Sequence, residues 1–357
     1  MTQNDLGRHP DLELANYYYD LPEELIATRP SKLREAARLL VYDQELDTVT
    51  HDTFENIDMH LPDSSRFFFN QSRVFPCRLN AQKQTGAKVE VFILGVRPNA
   101  EGSVEALLKS SGKKRIGEIL ELPAGETAEI MGRTEEGTFF VKLSCQSIID
   151  YLEQYGGVPI PPYIRGGVDD EQDRKDYQTS FAQELGSVAA PTAGLHFSPE
   201  LLEKLKRLGH ETHFVTLHVG MGTFAPVKAD HILDHKMHTE SYRLESSTLE
   251  ALRSSQYKVA VGTTSLRALE SVRKDPDWPN IRPSEIKTTN IFLYPGVQVS
   301  SIDALVTNFH LPKSSLLMLV SSLIGREKTL ELYQTAIEKK YRFYSYGDGM
   351  LIKRKRL

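Results

Sequence analysis

KVAVGTTSLRALESVRK, residues 258–274, holds one complete strand–turn–helix unit. Lys258 to Val261 reads as a short strand, Gly262-Thr263-Thr264-Ser265 as its turn, and Leu266 to Val272 as a helix. The same texture extends to both sides. Upstream, Ser198-Pro199-Glu200 opens a helix with an N-cap serine and a first-turn proline, LLEKLKRL carries its apolar stripe, and Gly209 closes it. His213 to Val219 then reads as a strand ending in Gly220-Met221-Gly222-Thr223. Downstream, TTNIFLYPG and SSIDALVTNF give strands, while SSLLMLVSSLIG and EKTLELYQTAIEKKY give helices. Strands alternating with helices from 188 to 345 predict an α/β main domain.

Toward the N-terminus the pattern differs. Asp20 is placed to cap a short helix with Pro22 in its first turn, Arg29-Pro30 breaks it, and Ala37 to Tyr42 reads as a strand. From Arg66 to Leu143 short β-like runs recur between Gly and Pro: RFFFN, RVFPCRL, AKVEVFILGV, SVEALLK, EILELP, AEIMG and TFFVKL. That spacing predicts a small β-barrel or sandwich. Few chemistry-bearing residues cluster there, apart from the polar Asn70-Gln71-Ser72-Arg73. Ser147 to Tyr155 reads as a helical return, and the prolines of GGVPIPPYIRGG force an extended passage back. The organisation expected is a discontinuous α/β domain, residues 1–65 and 146–357, with residues 66–145 inserted as the barrel.

Bulk properties narrow the function classes. Apolar content of 40% and charged content of 25% are those of an ordinary globular protein. There is no apolar run of about 18 residues for a membrane span, and the start of the chain lacks a basic-then-apolar signal pattern. Cys77 and Cys145 make no disulfide framework. A cytoplasmic protein is expected, with no membrane partner. A net charge of −5 argues against broad electrostatic capture of nucleic acid. A polyanion would have to meet local patches such as Lys109, Lys113, Lys114 and Arg115; the basic C-terminus reads as a solvated tail.

Chemistry concentrates in one fifth of the chain. Seven of the eleven histidines (His196, His210, His213, His218, His231, His235 and His238) fall between 196 and 238, among glycine turns and Thr192, Thr216 and Thr223. Histidine titrates near neutral pH and glycine allows close backbone approach to a ligand. His231, His235 and His238 fall at i, i+4 and i+7, a spacing that on a helix would also suit a metal. Gly262 to Ser265, at a helix N-terminus, is suited to an anion or carboxylate. A conventional methyltransferase is disfavoured, because no G-x-G-type loop follows an early strand.

Seven strings carry a resemblance to a known family: GSVAAPTAGLHF (186–197), THFVTLHVGMGTFAPV (212–227), HKMHTESY (235–242), VGTTSLRALES (261–271), NIFLYPG (290–296), TNFHLPKSSLLMLV (307–320) and YRFYSYGDGMLI (341–352). Together with YDLPEELIATRP near the N-terminus, they resemble the S-adenosylmethionine:tRNA ribosyltransferase-isomerases of queuosine biosynthesis over nearly the whole chain. Departures are small: Asn70-Gln71-Ser72-Arg73 stands where the family has N-N-T-R, Gly349 where it often has Ala, and Ser315 where it often has Thr.

The resemblance implies a large barrel-like α/β domain of mixed sheet and helices with a small antiparallel β-barrel inserted. The implied reaction moves and isomerises the ribosyl group of S-adenosylmethionine onto 7-aminomethyl-7-deazaguanine (preQ1) at the tRNA wobble position. It gives epoxyqueuosine, adenine and methionine, and implies no metal and no resident cofactor. A monomer is expected. That chemistry needs a base for the ribose C5′ proton, an acid for adenine and a pocket for an everted base. His196, His218 and His238 are the acid–base candidates, and Asp348 is the candidate for recognising the deazaguanine edge. Thr263, Thr264 and Ser265 are candidates for gripping the methionine carboxylate or ribose hydroxyls. Arg267 would pair with that carboxylate or, structurally, with Glu270. Thr192, Gly194, Gly220, Gly222, Thr223, His235, Glu240, Asn308, His310 and Lys313 complete the polar candidates. Tyr341, Phe343, Tyr344 and Tyr346 would stack on a base, or else pack a C-terminal helix into the core. The rival readings are a metal-dependent hydrolase built on the histidines and a non-catalytic RNA-binding protein.

Overall fold

The computed structural model describes residues 9–135, 137–220, 227 and 229–355. Strand β1 (Arg38–Asp43) turns back as β2 (Thr48–Thr53), and β3 (Arg66–Asn70) and β4 (Ser72–Val74) lead to six short strands. These are β5 (Arg78–Lys83), β6 (Lys88–Ile93), β7 (Val104–Lys109), β8 (Ile119–Glu121), β9 (Thr127–Arg133) and β10 (Phe139–Leu143). Helix α1 (Ile148–Tyr155) and the short α2 (Asp173–Asp176) return the chain to β11 (Glu184–Ser187). There follow α3 (Pro199–Arg207), β12 (Glu211–Leu217), β13 (Glu240–Leu244), α4 (Ser246–Arg253), β14 (Lys258–Val261) and α5 (Thr263–Arg273). The chain ends with β15 (Lys287–Thr289), β16 (Ala304–Asn308), α6 (Ser315–Ile324), α7 (Arg326–Glu338) and β17 (Gly349–Lys353).

Among the described residues, nine strands form one mixed sheet in the order β15-β13-β12-β3-β14-β16-β17-β1-β2. Its centre, β12, β3, β14 and β16, is parallel. Side chains alternate across it. Phe67, Phe69, Val259, Val261 and Val306 join one buried cluster with Phe197, Leu201 and Leu205. Phe68, Ala260 and Leu305 join another, with Leu266, Leu269 and Leu319. A parallel strand covered on both faces reads as a continuous apolar run. That is why RFFFN, expected in the insert, is instead the central strand β3. The insert's strands start at Arg78, not at residue 66.

Strands β10-β7-β6-β5-β8-β9 close into an antiparallel barrel filled by Leu79, Val91, Ala106, Leu120, Ile130 and Val141. Ser147 caps α1 by accepting from the Asp150 N–H, so the helical return forms where it was expected. The returning chain crosses the outgoing one at Gly156, where a Cβ would lie 1.9 Å from the Pro76 carbonyl oxygen. Only glycine fits that crossing.

Other expectations change in detail. Asp20 caps nothing: the turn is a 3₁₀ helix, Glu23–Leu25, with Pro22 at its N-cap. Helix α5 starts at Thr263, directly after Gly262, so the expected turn residues form its first turn. TTNIFLYPG is a strand only to Thr289. The Tyr341–Asp348 segment is a loop ahead of β17, not a helix. His231, His235 and His238 share no helix, since the only turn there is the 3₁₀ segment Ile232–Asp234.

Candidate active site

The four central parallel strands point their carboxyl ends the same way, and in open α/β sheets that edge is where ligands bind. Two adjoining clefts lie there. The first sits at the ends of β14 and β16. It is lined by Thr192, Thr263, Thr264, Asn308 and His310, with Tyr163, Tyr177, Tyr344 and the Ala189–Ala193 turn. Six sequence candidates from four distant segments, Tyr344 among them, therefore meet. The second cleft lies at the end of β12, lined by His218, Gly220 and Glu240, by Glu184 to Gly186, and by Arg97 from the barrel. Val219 borders both.

In the first cleft the Thr192 hydroxyl donates to Asn308 Oδ1 at 3.0 Å, and Asn308 Nδ2 meets His196 Nε2 at 3.1 Å. His196 itself lies behind the cleft, buried and stacked on Phe54 at 4.0 Å between ring centroids. Burial, reinforced by the Arg342 charge, pushes its pKa down to about 3, so its imidazole is neutral at pH 7. His310 is likewise pushed down to about 3 by burial, and its Nε2 shares a 2.8 Å hydrogen bond with Thr307 Oγ1. Thr264 is 9% exposed, and its hydroxyl has no partner among the described residues. Ser265 is turned away: it donates to the Val261 carbonyl at 2.7 Å and is fully buried.

In the second cleft, His218 Nδ1 is buried without a partner among the described residues. Burial lowers its pKa, and the Arg97 charge lowers it further, so the ring is a neutral base. Glu240 accepts from the Gly220 N–H at 3.2 Å and is ion-paired with Arg267, both nearly fully buried. Arg267 thus pairs with Glu240. Glu270 instead accepts from the backbone of Ser300 and Ser301.

The remaining candidates go elsewhere. Gly194 is a packing position, where a Cβ would meet Phe181 at 2.8 Å. His238 is exposed beside a third cleft at the barrel junction, and His235 packs edge-on against Phe292. Lys313 reaches over the Tyr18 ring. Tyr341 is buried and bonded to His51, Phe343 packs on Phe309, and Tyr346 donates to Asp173. The Asp348 carboxylate is taken up by the N–H groups of Arg38 and Arg342, at 3.0 and 2.8 Å, and by the Arg342 guanidinium. It has a structural role, not a base edge to read. Gly222 and Thr223 lie outside the described residues. Among the described residues no three His, Cys, Asp or Glu side chains are placed together to hold a metal. Gly186, Glu184, Arg97 and the Ala189–Pro191 turn escaped the sequence reading. Tyr344, named from sequence for stacking on a base, lines the first cleft, with φ 69°.

Comparison with known proteins addresses the same architecture. A family model described as queuosine biosynthesis protein matches residues 14–352. The S-adenosylmethionine:tRNA ribosyltransferase-isomerase of Desulforamulus reducens is 42% identical over 348 residues, covering 96% of this chain and 100% of its own length. The Aquifex aeolicus protein of the same name is 43% identical over 349 residues, with the same coverage. A crystal structure of S-adenosylmethionine tRNA ribosyltransferase from Thermotoga maritima superposes with a TM-score of 0.53 at 32% identity, covering 94% of this chain and 99% of that one. The family match runs from ahead of β1 into β17, through the mixed sheet, the barrel and the first two clefts, and on that ground this chain belongs to the queuosine biosynthesis protein family.

Proposed function

We propose that this protein is an S-adenosylmethionine:tRNA ribosyltransferase-isomerase that acts on preQ1 at the tRNA wobble position. In this reading S-adenosylmethionine is consumed as a substrate, with no metal and no resident cofactor. On the same reading the enzyme works as a monomer, in the cytoplasm where tRNA is found. The observation that carries the reading is the pair of clefts meeting at Val219, on a chain of this family.

The sulfonium acidifies the adjacent ribose C5′. A neutral base is then needed beside that carbon. His218, deprotonated and with a ring nitrogen that has no partner among the described residues, meets that requirement better than His196, whose Nε2 is occupied. The rings of Tyr344 and Tyr163, 4.6 Å apart, offer π faces for a cation, and burial keeps both phenols protonated. Loss of adenine, attack by the neutral aminomethyl nitrogen and rearrangement to the epoxide with loss of methionine complete the balance. Each turnover yields one adenine, one methionine and one modified tRNA.

The test mixes purified protein, S-adenosylmethionine and preQ1-containing tRNA. Adenine and methionine in equal amounts, with epoxyqueuosine in the tRNA digest, are expected. S-adenosylhomocysteine would mean methyl transfer and overturn the reading.

A further inference from the structure

The first cleft is built with a definite polarity, and the hydrogen bonds behind it fix the sign. Asn308 Nδ2 lies 3.4 Å from the carbonyl oxygen of Asp348, which only accepts, so that end of the amide is the NH₂. The same NH₂ meets His196 Nε2, which must then be the bare nitrogen. The proton of the neutral ring then sits on Nδ1, away from Asn308. Asn308 Oδ1 therefore faces Thr192, and the Thr192 hydroxyl must spend its only proton there. What Thr192 shows the cleft is an acceptor alone.

The opposite wall is a donor. Gly262, Thr263 and Thr264 bring the N-terminus of the eleven-residue helix α5 to the cleft, and no side chain caps its first N–H groups. Thr264 adds a hydroxyl that is nine-tenths buried and without a partner among the described residues. Donors at a helix N-terminus favour a carboxylate.

We propose that this cleft is an α-amino-acid subsite. The α5 N-terminus and Thr264 take the carboxylate, Thr192 takes the α-ammonium, and His196 is a positioning residue that holds Thr192 as an acceptor. The proposal rests on the reaction proposed above and assigns the methionyl end of S-adenosylmethionine to the first cleft. The reacting carbon then falls toward Val219 and His218. It also removes His196 from the acid–base candidates.

Calorimetry on the full chain tests it with three probes: S-adenosylmethionine, its analogue lacking the carboxylate, and its analogue lacking the α-amino group. Each analogue binds wild type at least about tenfold more weakly than S-adenosylmethionine, the size of a lost charge-assisted hydrogen bond. Thr264→Val weakens S-adenosylmethionine by about tenfold and leaves the decarboxylated analogue unchanged; Thr192→Val does the same with the deaminated analogue. The Ser variants at both positions keep the hydroxyl and restore binding. His196→Gln raises KM for S-adenosylmethionine, spares the deaminated analogue, and leaves the shape of the kcat–pH profile unchanged. Variants that weaken all three probes equally, in an enzyme that still releases adenine and methionine, overturn the subsite alone. Loss of kcat in His196→Gln together with loss of the acidic limb overturns the positioning role. A wild-type protein that binds no S-adenosylmethionine overturns the proposed reaction and the subsite together.

Discussion

Gly186 has φ +150°, and a Cβ there would lie 2.7 Å from Cε1 and Nδ1 of His218. The glycine thus leaves the slot into which the imidazole fits. Gly186→Ala must displace the ring, at a cost of about 1–3 kcal/mol in overpacking. If His218 is the base, kcat falls by about 100-fold or more, far beyond what that loss of stability accounts for. A Tm that drops while kcat per folded molecule holds would remove His218 from the mechanism. His196 gives a second test, in stability. Its folded pKa of about 3 lies below the ordinary histidine value of 6.5, so between these limits the unfolded chain binds the extra proton. The stability it contributes is complete above pH 6.5 and is lost as pH falls toward 3. His196→Gln should therefore lose less Tm than wild type between pH 7 and pH 5. Equal losses in the two proteins would mean the ring is not held neutral.

Elements are joined to one another by buried charges. Arg267 on α5 pairs with Glu240 on β13, and Glu240 also holds the Gly220 N–H, so one carboxylate ties a helix, an edge strand and the cleft rim together. Removing one partner leaves an uncompensated buried charge, so Glu240→Gln should cost about 3–5 kcal/mol, and Glu240→Gln with Arg267→Met should recover much of it. Denaturant melts of the single and double variants decide this, and equal instability of the two refutes the pairing. Asp348 does a similar task for β1 and the loop before β17. Asp348→Ala should cost about 2–4 kcal/mol, since it strips two backbone N–H groups and a guanidinium of their acceptor, and should leave KM for preQ1-tRNA unchanged. A raised KM in stable protein would restore the base-recognition role expected from sequence. These are also the places where the sequence was hardest to read. The alternation of strands and helices was plain from 258–274, as was the capped end at Ser198, whereas Thr192, Thr263 and Asn308 stood out singly and not as neighbours. RFFFN misled because burial on both faces erases the alternation that marks a strand's environment. Arg267, Ser265 and Asp348 misled because residue type does not say whether a polar group faces a ligand or another element. Only three-dimensional pairing does.

The two units are more than neighbours, because Leu94 to Arg97 from the barrel line the cleft of His218. A third cleft opens there between barrel residues Arg78, Phe92, Lys109 and Lys114 and sheet-side residues Gly220, His238 and Thr239. It shares Leu94, Gly220 and Thr239 with the cleft of His218. A path therefore runs from the basic β7–β8 loop of the barrel to the neutral histidine. The composition shift along the chain revealed two units, but not that the reaction site would draw on both. With a net charge of −5, the protein cannot hold tRNA by overall attraction, so phosphate contacts must be local and few. Lys109 at the end of β7 and Lys113 on the loop are exposed, and Lys114 is tethered to the Ser110 carbonyl at 3.3 Å. Replacing Lys109 and Lys113 by alanine should raise KM for preQ1-tRNA and flatten the dependence of log K on log salt by about 0.9 for each phosphate no longer neutralised. Binding of S-adenosylmethionine should not change, since neither lysine borders the first two clefts. An unchanged salt slope would move the RNA off the barrel and leave that unit a structural role alone. A slope that falls while small-molecule binding holds would make the barrel the arm that presents the wobble base to His218.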